Sequence, residues 1–235
     1  MAVISLVMWG CGSDGGGGKA ASKYLFVGDT NDDTVSRFAI DADTGELSFL
    51  GTTGLPVLSG PTGLVMHPNG DYLYVSNSNS HEGNTWNGNG TVSVFEYDRS
   101  TGDLLETPNS PFAASSMALQ IAITPSGDFV YTTDQDGENI TIFEVDSASG
   151  DLTETAFSPM SETEAHAVAM HPSGDFVFMG NEDDNEIAGY SINAVTGSLT
   201  PVPNSPYGLG WRCNWVSITP DGNYVYCTET ANGGG

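Results

Sequence analysis

Four related tetrapeptides decide the fold of this chain: His67-Pro68-Asn69-Gly70, Thr124-Pro125-Ser126-Gly127, His171-Pro172-Ser173-Gly174 and Thr219-Pro220-Asp221-Gly222. Proline fixes φ near the value that opens a turn, and glycine accepts positive φ, so each tetrapeptide is typical of a hairpin. The tetrapeptides recur at intervals of about 50 residues, which indicates a repeat architecture.

The segments around each hairpin have the pattern of β-strands. An apolar segment precedes the turn, as at 63–66, and an aromatic segment follows it, as at 72–75 and 129–131. A third segment alternates in polarity, as at 91–95, which is typical of a half-buried strand. A Thr-Gly or Ser-Gly turn then leads to a fourth strand. Four strands per repeat predict the blade of a β-propeller.

The sequence therefore predicts an all-β protein, a β-propeller of four-stranded antiparallel blades with about four and a half blades present. We divide it into an N-terminal segment, 1–22, and a propeller domain, 23–235, with units of about 23–70, 71–127, 128–174, 175–222 and a partial unit 223–235. The first unit opens at Tyr24 with its second strand, so its inner strand is expected from elsewhere, normally from the C-terminus. The chain instead starts a further blade, which predicts an open crescent of an incomplete ring with an exposed edge.

The N-terminal segment has features of an export signal. Cys11 follows a short apolar stretch and precedes a glycine-rich run that suits a flexible tether. This order is similar to the end of a bacterial lipoprotein signal and predicts lipidation of Cys11, with a periplasmic or cell-surface location. No Lys or Arg precedes the apolar stretch, which departs from that pattern, and an ordinary cysteine is the alternative. No apolar run is long enough for a transmembrane helix, so we expect membrane contact only through Cys11.

The charge of the chain limits its partners. Thirty acidic residues face five Lys and Arg, for a formal net charge of −25. Such a surface repels phosphate backbones, which excludes nucleic acid as a partner. A doubly charged sugar phosphate would need a basic pocket that so few cations hardly supply. The simpler interpretation of the acidic turns is solubility.

The repeat resembles the lactonase family of seven-bladed β-propellers, which includes bacterial 6-phosphogluconolactonases and fungal muconate-lactonizing enzymes. The resemblance rests on the Pro-x-Gly hairpins, the aromatic second strands and the Thr-Gly-x-Leu turns, and it covers Tyr24 to Gly235. It implies an incomplete seven-bladed ring. It is specific for the fold and less so for activity, because these motifs are structural.

The resemblance also implies catalytic positions. The family's His and Arg lie six residues before the hairpin proline of two successive blades, a position held here by Thr62, Leu119, His166 and Asn214. His166 matches the His, whereas Asn214 replaces the Arg. The family's Glu falls ten residues after the same proline as the Arg, which is Thr230 here, with Glu229 one residue early. Alternating strand faces would turn Glu229 away unless a bulge intervenes.

Lactone hydrolysis needs a base to activate water and a positive group for the developing oxyanion. The resemblance thus implies His166 as the base, with Arg212 or Glu229 assisting, and Arg212 is the only cation near the right blade. A surface arginine packed beside tryptophan is the alternative interpretation of Arg212.

Other residues carry weaker signals. An insertion at 78–90 that contains Trp86 suits a binding loop, and Trp86, Trp211 and Trp215 are candidate carbohydrate-binding rings. Acidic turns at 29–33, 134–138 and 181–186 are explained by hairpin chemistry, so we predict no metal and no other cofactor. His67 and His171 are expected to cap their turns.

Cys213 and Cys227 flank one hairpin, and export would permit a disulfide between them. Counting through the turn places Cys227 opposite Val216 and Cys213 opposite Thr230, so a bridge would require the strand end to bend. The sequence leaves both the bridge and free thiols open.

Three functional hypotheses remain: a non-catalytic exported module that serves as a scaffold or binds a protein partner, a hydrolase of a small sugar lactone, and a carbohydrate-binding propeller. The missing arginine and the acidic charge favour the non-catalytic module, while His166 keeps the lactonase alternative open.

Overall fold

The computed structural model describes residues 6–9, 23–56, 59–78, 90–134, 139–161 and 165–229. Every regular element in these ranges is a β-strand, and none of the described residues forms a helix long and apolar enough to cross a membrane. The strands form five antiparallel sheets that follow one another along the chain.

Strands pair in sequence order within each sheet, except that the fifth strand of three sheets pairs with the third. The first sheet contains β1 (Leu6–Trp9), β2 (Lys23–Asp29), β3 (Thr34–Ile40) and β4 (Leu47–Gly54). The second contains β5 (Pro61–Met66), β6 (Tyr72–Asn77), β7 (Thr91–Tyr97), β8 (Leu104–Glu106) and β9 (Phe112–Ala113). The third contains β10 (Ala118–Ile123), β11 (Phe129–Asp134), β12 (Asn139–Val145), β13 (Leu152–Glu154) and β14 (Met160–Ser161).

The fourth sheet contains β15 (Ala165–Met170), β16 (Phe176–Asn181), β17 (Glu186–Ile192), β18 (Leu199–Pro201) and β19 (Tyr207–Gly208), and the fifth contains β20 (Cys213–Ile218) and β21 (Val225–Glu229). The predicted all-β propeller of four blades and the opening of a fifth is confirmed. The sheets form an open arc, as expected for an incomplete ring.

The inner edge of the first sheet differs from the prediction. β1 pairs with β2 in the register that the inner strands keep elsewhere, with Met8 opposite Leu25 as Met66 is opposite Leu73. The N-terminal segment therefore supplies the strand that we expected from another part of the chain. Cys11 lies outside the described residues, and its lipidation stays a prediction.

The predicted hairpins join β5 to β6, β10 to β11, β15 to β16 and β20 to β21. In each tetrapeptide the glycine N–H donates to the carbonyl of the first residue, at 2.8 Å for Gly70 and 2.9 Å for Gly174. His67 and His171 accept the backbone N–H two residues later at Nδ1, both at 3.1 Å. The prediction that these histidines cap turns is confirmed.

The outer edge of three blades is interrupted in a way that the sequence did not predict. The third strand pairs with two short strands, such as β8 and β9 on β7, that are separated by a loop. A serine in each loop accepts a hydrogen bond from the third strand in place of a backbone carbonyl: Ser110 from Val94, Ser158 from Ile142 and Ser205 from Gly189, at 2.9 to 3.1 Å. The loop therefore keeps these buried N–H groups paired.

The hydrophobic core lies between successive blades. One cluster joins the first two sheets through Phe26, Leu64 and Phe95, and another joins the third and fourth sheets through Tyr131, Ile142 and Met179. Every blade is thus stabilised mainly by its neighbours, as in other repeat proteins.

The Thr-Gly turns take part in these contacts. Tyr72 lies under the turn of the next blade and donates its hydroxyl to the Ala148 carbonyl at 2.7 Å. A Cβ on Gly150 would lie 2.6 Å from the Tyr72 ring, and the same relation joins Gly102 to Tyr24 and Gly197 to Phe129. The sequence indicates the aromatic second strand and the glycine turn as separate signals. In the structure they contact each other across the boundary between two blades.

Candidate functional site

Every inner strand after β1 carries a bulge near its N-terminal end. The pairing register shifts between Pro61 and Gly63, between Ala118 and Ile121, between Ala165 and Ala167, and between Cys213 and Trp215. The residues left out of the register include Thr62, Leu119, His166 and Asn214, which are the residues six before each hairpin proline. A bulge re-aims a side chain that would otherwise alternate regularly along the strand. The position that the resemblance gives to the catalytic His and Arg is therefore a bulged residue in each of these four strands.

Hydroxyl groups of the preceding blade support two of these bulges. Ser76 donates to the carbonyl of Leu119 at 3.0 Å, and Thr133 donates to the carbonyl of His166 at 3.3 Å. Ser76 and Thr133 are both buried. The backbone of His166 is therefore held by a neighbouring blade.

His166 is part of a charged cluster. Its Nδ1 lies 3.1 Å from Oε2 of Glu182, and Oε1 of the same carboxylate accepts a hydrogen bond from Arg212 at 2.7 Å. The other terminal nitrogen of Arg212 lies 3.8 Å from Asp183. We call His166, Glu182, Asp183 and Arg212 the His166 cluster. Glu182 bridges the two residues that the sequence selected.

Burial decides the protonation of the histidine. The side chains of His166 and Glu182 are 11 % and 14 % exposed. Burial lowers the pKa of His166 below its ordinary value of 6.5, against the opposing effect of Glu182 and Asp183, and the positive charge of Arg212 lowers it further. The imidazole is therefore neutral at pH 7, the form that can accept a proton.

The structure brings together two of the three predicted catalytic residues. His166 and Arg212 contact the same carboxylate. Glu229 ends β21, where its backbone pairs with Cys213, and its side chain lies outside the described part of the structure. The role of Glu229 stays a prediction.

Sequence analysis missed Glu182 as a site residue. It belongs to the acidic turn at 181–186, which we interpreted as hairpin chemistry. Glu182 stands ten residues after Pro172, the repeat position at which the resemblance places the family's Glu, but in the blade of His166 and not in the next one. Comparing this position across all blades would have found it.

Cys213 and Cys227 form a disulfide with their Cα atoms 5.7 Å apart. Cys227 lies opposite Val216 as predicted, but the expected pairing of Cys213 with Thr230 is wrong, because the bulge at Asn214 takes up one residue. A Cβ on Gly180 would lie 2.8 Å from both the sulfur and the carbonyl oxygen of Cys213. Glycine at this position therefore lets the disulfide pack against β16, next to the strand end that leads to Glu182.

Two of the three predicted carbohydrate-binding tryptophans can be placed. Trp211 and Trp215 are 47 % and 37 % exposed, near the start of β20. Trp86 and most of the predicted binding loop lie outside the described residues, so this loop stays a prediction. The exposure of the two rings is compatible with stacking on a sugar.

Comparison with known proteins identifies a family and solved structures with the same fold. A family model described as lactonase, 7-bladed beta-propeller matches residues 19–213. No curated protein sequence matches the chain.

Solved structures share the fold. A candidate 6-phosphogluconolactonase from Bacteroides uniformis is 24 % identical with a TM-score of 0.68, and the alignment covers 79 % of this chain and 52 % of that one. A similar protein from Bacteroides fragilis has 24 % identity and a TM-score of 0.66, with the same coverage of 79 % and 52 %. The periplasmic gluconolactonase of Pseudomonas aeruginosa is 17 % identical with a TM-score of 0.71, and the alignment covers 88 % of this chain and 60 % of that one. The chain thus spans about half the length of the two Bacteroides proteins.

Proposed function

Because the chain belongs to the lactonase family of seven-bladed β-propellers, we propose that it hydrolyses a sugar lactone at the His166 cluster. The observation that carries the proposal is the pairing of a buried, neutral imidazole with a carboxylate through Nδ1. A carboxylate at Nδ1 fixes the tautomer with the proton on that nitrogen and leaves the lone pair on Nε2. This arrangement suits a general base.

The proposed reaction needs one base and one positive group. Nε2 of His166 takes a proton from water while the water oxygen bonds to the lactone carbonyl carbon, and Glu182 stabilises the imidazolium that forms. Collapse of the tetrahedral intermediate breaks the ring C–O bond, and the leaving oxygen takes the proton back from Nε2. The product is the open hydroxy acid. Arg212 places positive charge beside the developing oxyanion.

The charge of the cluster favours a neutral lactone. Glu182 and Asp183 together outweigh the single charge of Arg212, and the chain as a whole carries a net charge of −25. A phosphorylated substrate would meet repulsion at short range and at long range. We therefore propose an uncharged sugar lactone as the substrate class.

A non-catalytic binding module is the second candidate, and a specific observation favours it. Asn214 replaces the arginine that the family resemblance places at the next bulge, and Arg212 is already bonded to Glu182. A site of this kind would bind a carbohydrate or a protein partner without chemistry, and the exposed Trp211 and Trp215 would contribute to sugar binding.

Hydrolysis of a panel of neutral and acidic sugar lactones, corrected for spontaneous ring opening, separates the two candidates. We expect turnover of neutral lactones that falls at least 100-fold in His166→Gln, the order of magnitude supplied by a general base. His171→Gln is the matched control, because His171 caps a hairpin outside the cluster, and it should keep full activity. Rates equal to the uncatalysed reaction for the wild-type protein would refute the lactonase proposal and support the binding module.

A further inference from the structure

The hairpin histidines fill the space between the hairpins of neighbouring blades. A Cβ on Gly127 would lie 2.5 Å from Nε2 of His67, so the His67 ring occupies the space beside the hairpin of the next blade. His171 is related to Gly222 in the same way. The His171 ring also packs edge-on against Phe176 of its own blade, with ring centroids 5.9 Å apart. An imidazole therefore packs at two of the junctions between hairpins.

Two backbone groups bind the His171 ring. The Ser173 N–H donates to Nδ1 at 3.1 Å, so the ring proton lies on Nε2, and Nε2 donates to the Gly222 carbonyl at 3.1 Å. A neutral imidazole has one acceptor nitrogen and one donor N–H, and this pair of backbone groups matches both. The ring thus connects the hairpins of two blades.

The third blade has threonine at this position, and a cavity takes the place of the ring. The Thr124 hydroxyl accepts the Phe129 N–H of its own blade at 3.1 Å, and the atoms nearest to a Cβ on Gly174 belong to Pro125, at 3.1 Å. A cavity of about 130 Å³ lies between the two hairpins. Its lining includes the residues equivalent, in order, to His171, Ser173, Phe176 and Gly222, which are Thr124, Ser126, Phe129 and Gly174. The cavity is therefore the space that an imidazole occupies at the other two junctions.

We propose that this cavity binds a small neutral heterocycle of the imidazole type. The Ser126 N–H and the Gly174 carbonyl stand at the repeat positions of the two groups that bind His171, so they can bind the acceptor nitrogen and the N–H of the ligand. The size is suitable, since a protein cavity of about 150 Å³ accepts benzene and a five-membered ring is smaller. Asp175 also lines the cavity, and its negative charge disfavours anionic ligands.

The cavity is separate from the His166 cluster. It lies at the hairpin ends of β10 and β15, whereas His166 is near the opposite end of β15. The inference therefore goes beyond the proposed hydrolysis and does not depend on it.

Titration of the full chain with imidazole, followed through the backbone amide signals in NMR spectra, tests the proposal. The pH is kept above the pKa of imidazole so that the ligand is neutral. We expect saturable shifts of the Ser126 and Gly174 signals with a Kd of about 1 mM, within the limit for so small a ligand. Thr124→His places a ring in the cavity from the protein itself and should abolish these shifts. Thr219→His is the matched control, because it makes the same substitution in the hairpin of the fifth blade, and it should bind imidazole as the wild-type protein does.

Gly174→Ala blocks the cavity by a different route. A methyl group at this position would stand where the ring lies, as the short distance from Gly127 to the His67 ring shows, so imidazole binding should be lost. Gly45→Ala carries a similar backbone penalty at φ 73° with no atom within 4 Å, and it should bind like the wild-type protein. The melting temperature of each variant shows whether it folds, and Gly174→Ala decides the test if Thr124→His does not fold. Shifts that do not saturate in the wild-type protein, or that are equal in the wild-type protein and the blocked variants, would overturn the inference.

A second probe distinguishes two sources of the ligand. 4-Methylimidazole carries the carbon through which the ring of a histidine residue is attached. Binding of both probes would extend the ligand class to histidine side chains, whereas binding of imidazole alone would restrict it to the free heterocycle. Either result supports the site.

Discussion

His166 is subject to opposing electrostatic effects from its neighbours. Burial and Arg212 disfavour its protonation, whereas Glu182 and Asp183 favour it. The pKa of His166 is lower in the folded protein than its ordinary value of 6.5, so acid favours the unfolded state. The stability that the neutral histidine contributes is present above pH 6.5 and is lost as the pH falls through the lowered pKa. Acidification therefore protonates the proposed base and lowers the stability of the fold over the same pH range.

Glu182→Gln is expected to lower the pKa of His166 further, because it removes the strongest effect that favours the imidazolium and leaves Arg212 in place. The chemical shift of the His166 ring proton, followed by NMR during a pH titration, measures this directly. The acidic limb of a lactonase pH profile should move to lower pH while the plateau rate falls.

Asp184→Asn is the control for that substitution, because Asp184 bonds to Asn181 and is not among the groups that shift His166. It should leave the pKa unchanged. A rise in the His166 pKa in Glu182→Gln would show that the carboxylate does not interact with the ring as the structure indicates.

The site could be predicted in part from its residues. The family resemblance, which places a His six residues before a hairpin proline, selected His166, and the scarcity of cations selected Arg212. Glu182 was not predicted because its repeat position was considered in only one blade. Whether a carboxylate contacts a histidine also depends on tertiary packing, which sequence spacing does not specify. The disulfide between Cys213 and Cys227 was left open for a related reason, since the bulge that alters the register leaves no local sequence signal.

At the scale of single elements, the glycine turns are the clearest contacts between blades. Gly45, Gly102, Gly150 and Gly197 all have positive φ, between 69° and 77°. Gly45 has no atom within 4 Å of a hypothetical Cβ, whereas Gly150 faces the ring of Tyr72. The four turns therefore share one backbone conformation and differ in what covers them.

Gly150→Ala is expected to destabilise the protein by about 2 to 4 kcal/mol, the sum of a left-handed backbone penalty and the overpacking of an aromatic ring. Gly45→Ala carries only the first penalty, about 1 kcal/mol. Urea denaturation of both variants gives the comparison. Equal losses of unfolding free energy in the two variants would mean that a methyl group at position 150 does not clash with the Tyr72 ring.

The elements themselves were predictable because their signals are local. Hairpin tetrapeptides, alternating strands and Thr-Gly turns each follow from a few adjacent residues. The serine loops that interrupt the outer strands were not predicted, because a hydroxyl that replaces a backbone acceptor depends on a partner some 16 residues away. Similarly, the contacts of Gly102, Gly150 and Gly197 with an aromatic ring of another blade are tertiary contacts.

At the scale of the whole molecule, the charges are offset locally, and the disulfide bears on the proposed export. In the described ranges, Arg37, Arg99 and Arg212 each contact a carboxylate, of Asp103, Asp71 and Glu182 respectively, so the positive charges are offset locally. Disulfides form and persist in oxidising compartments, and the bond between Cys213 and Cys227 supports export for that reason. We propose that Cys11 carries the lipid that retains the protein at the membrane. In that case Cys11 becomes the mature N-terminus, and β1 belongs only to the precursor.

In cells that export the chain, Cys11→Ala is expected to move the protein from the membrane fraction to the soluble fraction, because the remaining acidic surface has no affinity for anionic lipid. Immunoblotting of the two fractions measures the change. Cys227→Ser serves as the control, since it removes a cysteine without touching the proposed anchor, and it should stay with the membrane. Membrane retention of Cys11→Ala would refute lipid attachment at this residue.

The recurring bulge also bears on how such proteins diversify. Since each blade after the first places one irregular residue at the same point of its inner strand, a single substitution there changes the local chemistry and leaves the hydrogen-bonded ladder intact. Threonine, leucine, histidine and asparagine already occupy this point in successive blades. Natural selection can therefore exchange acids, bases and neutral groups among equivalent blades, so that activity drifts or disappears over generations while the fold persists.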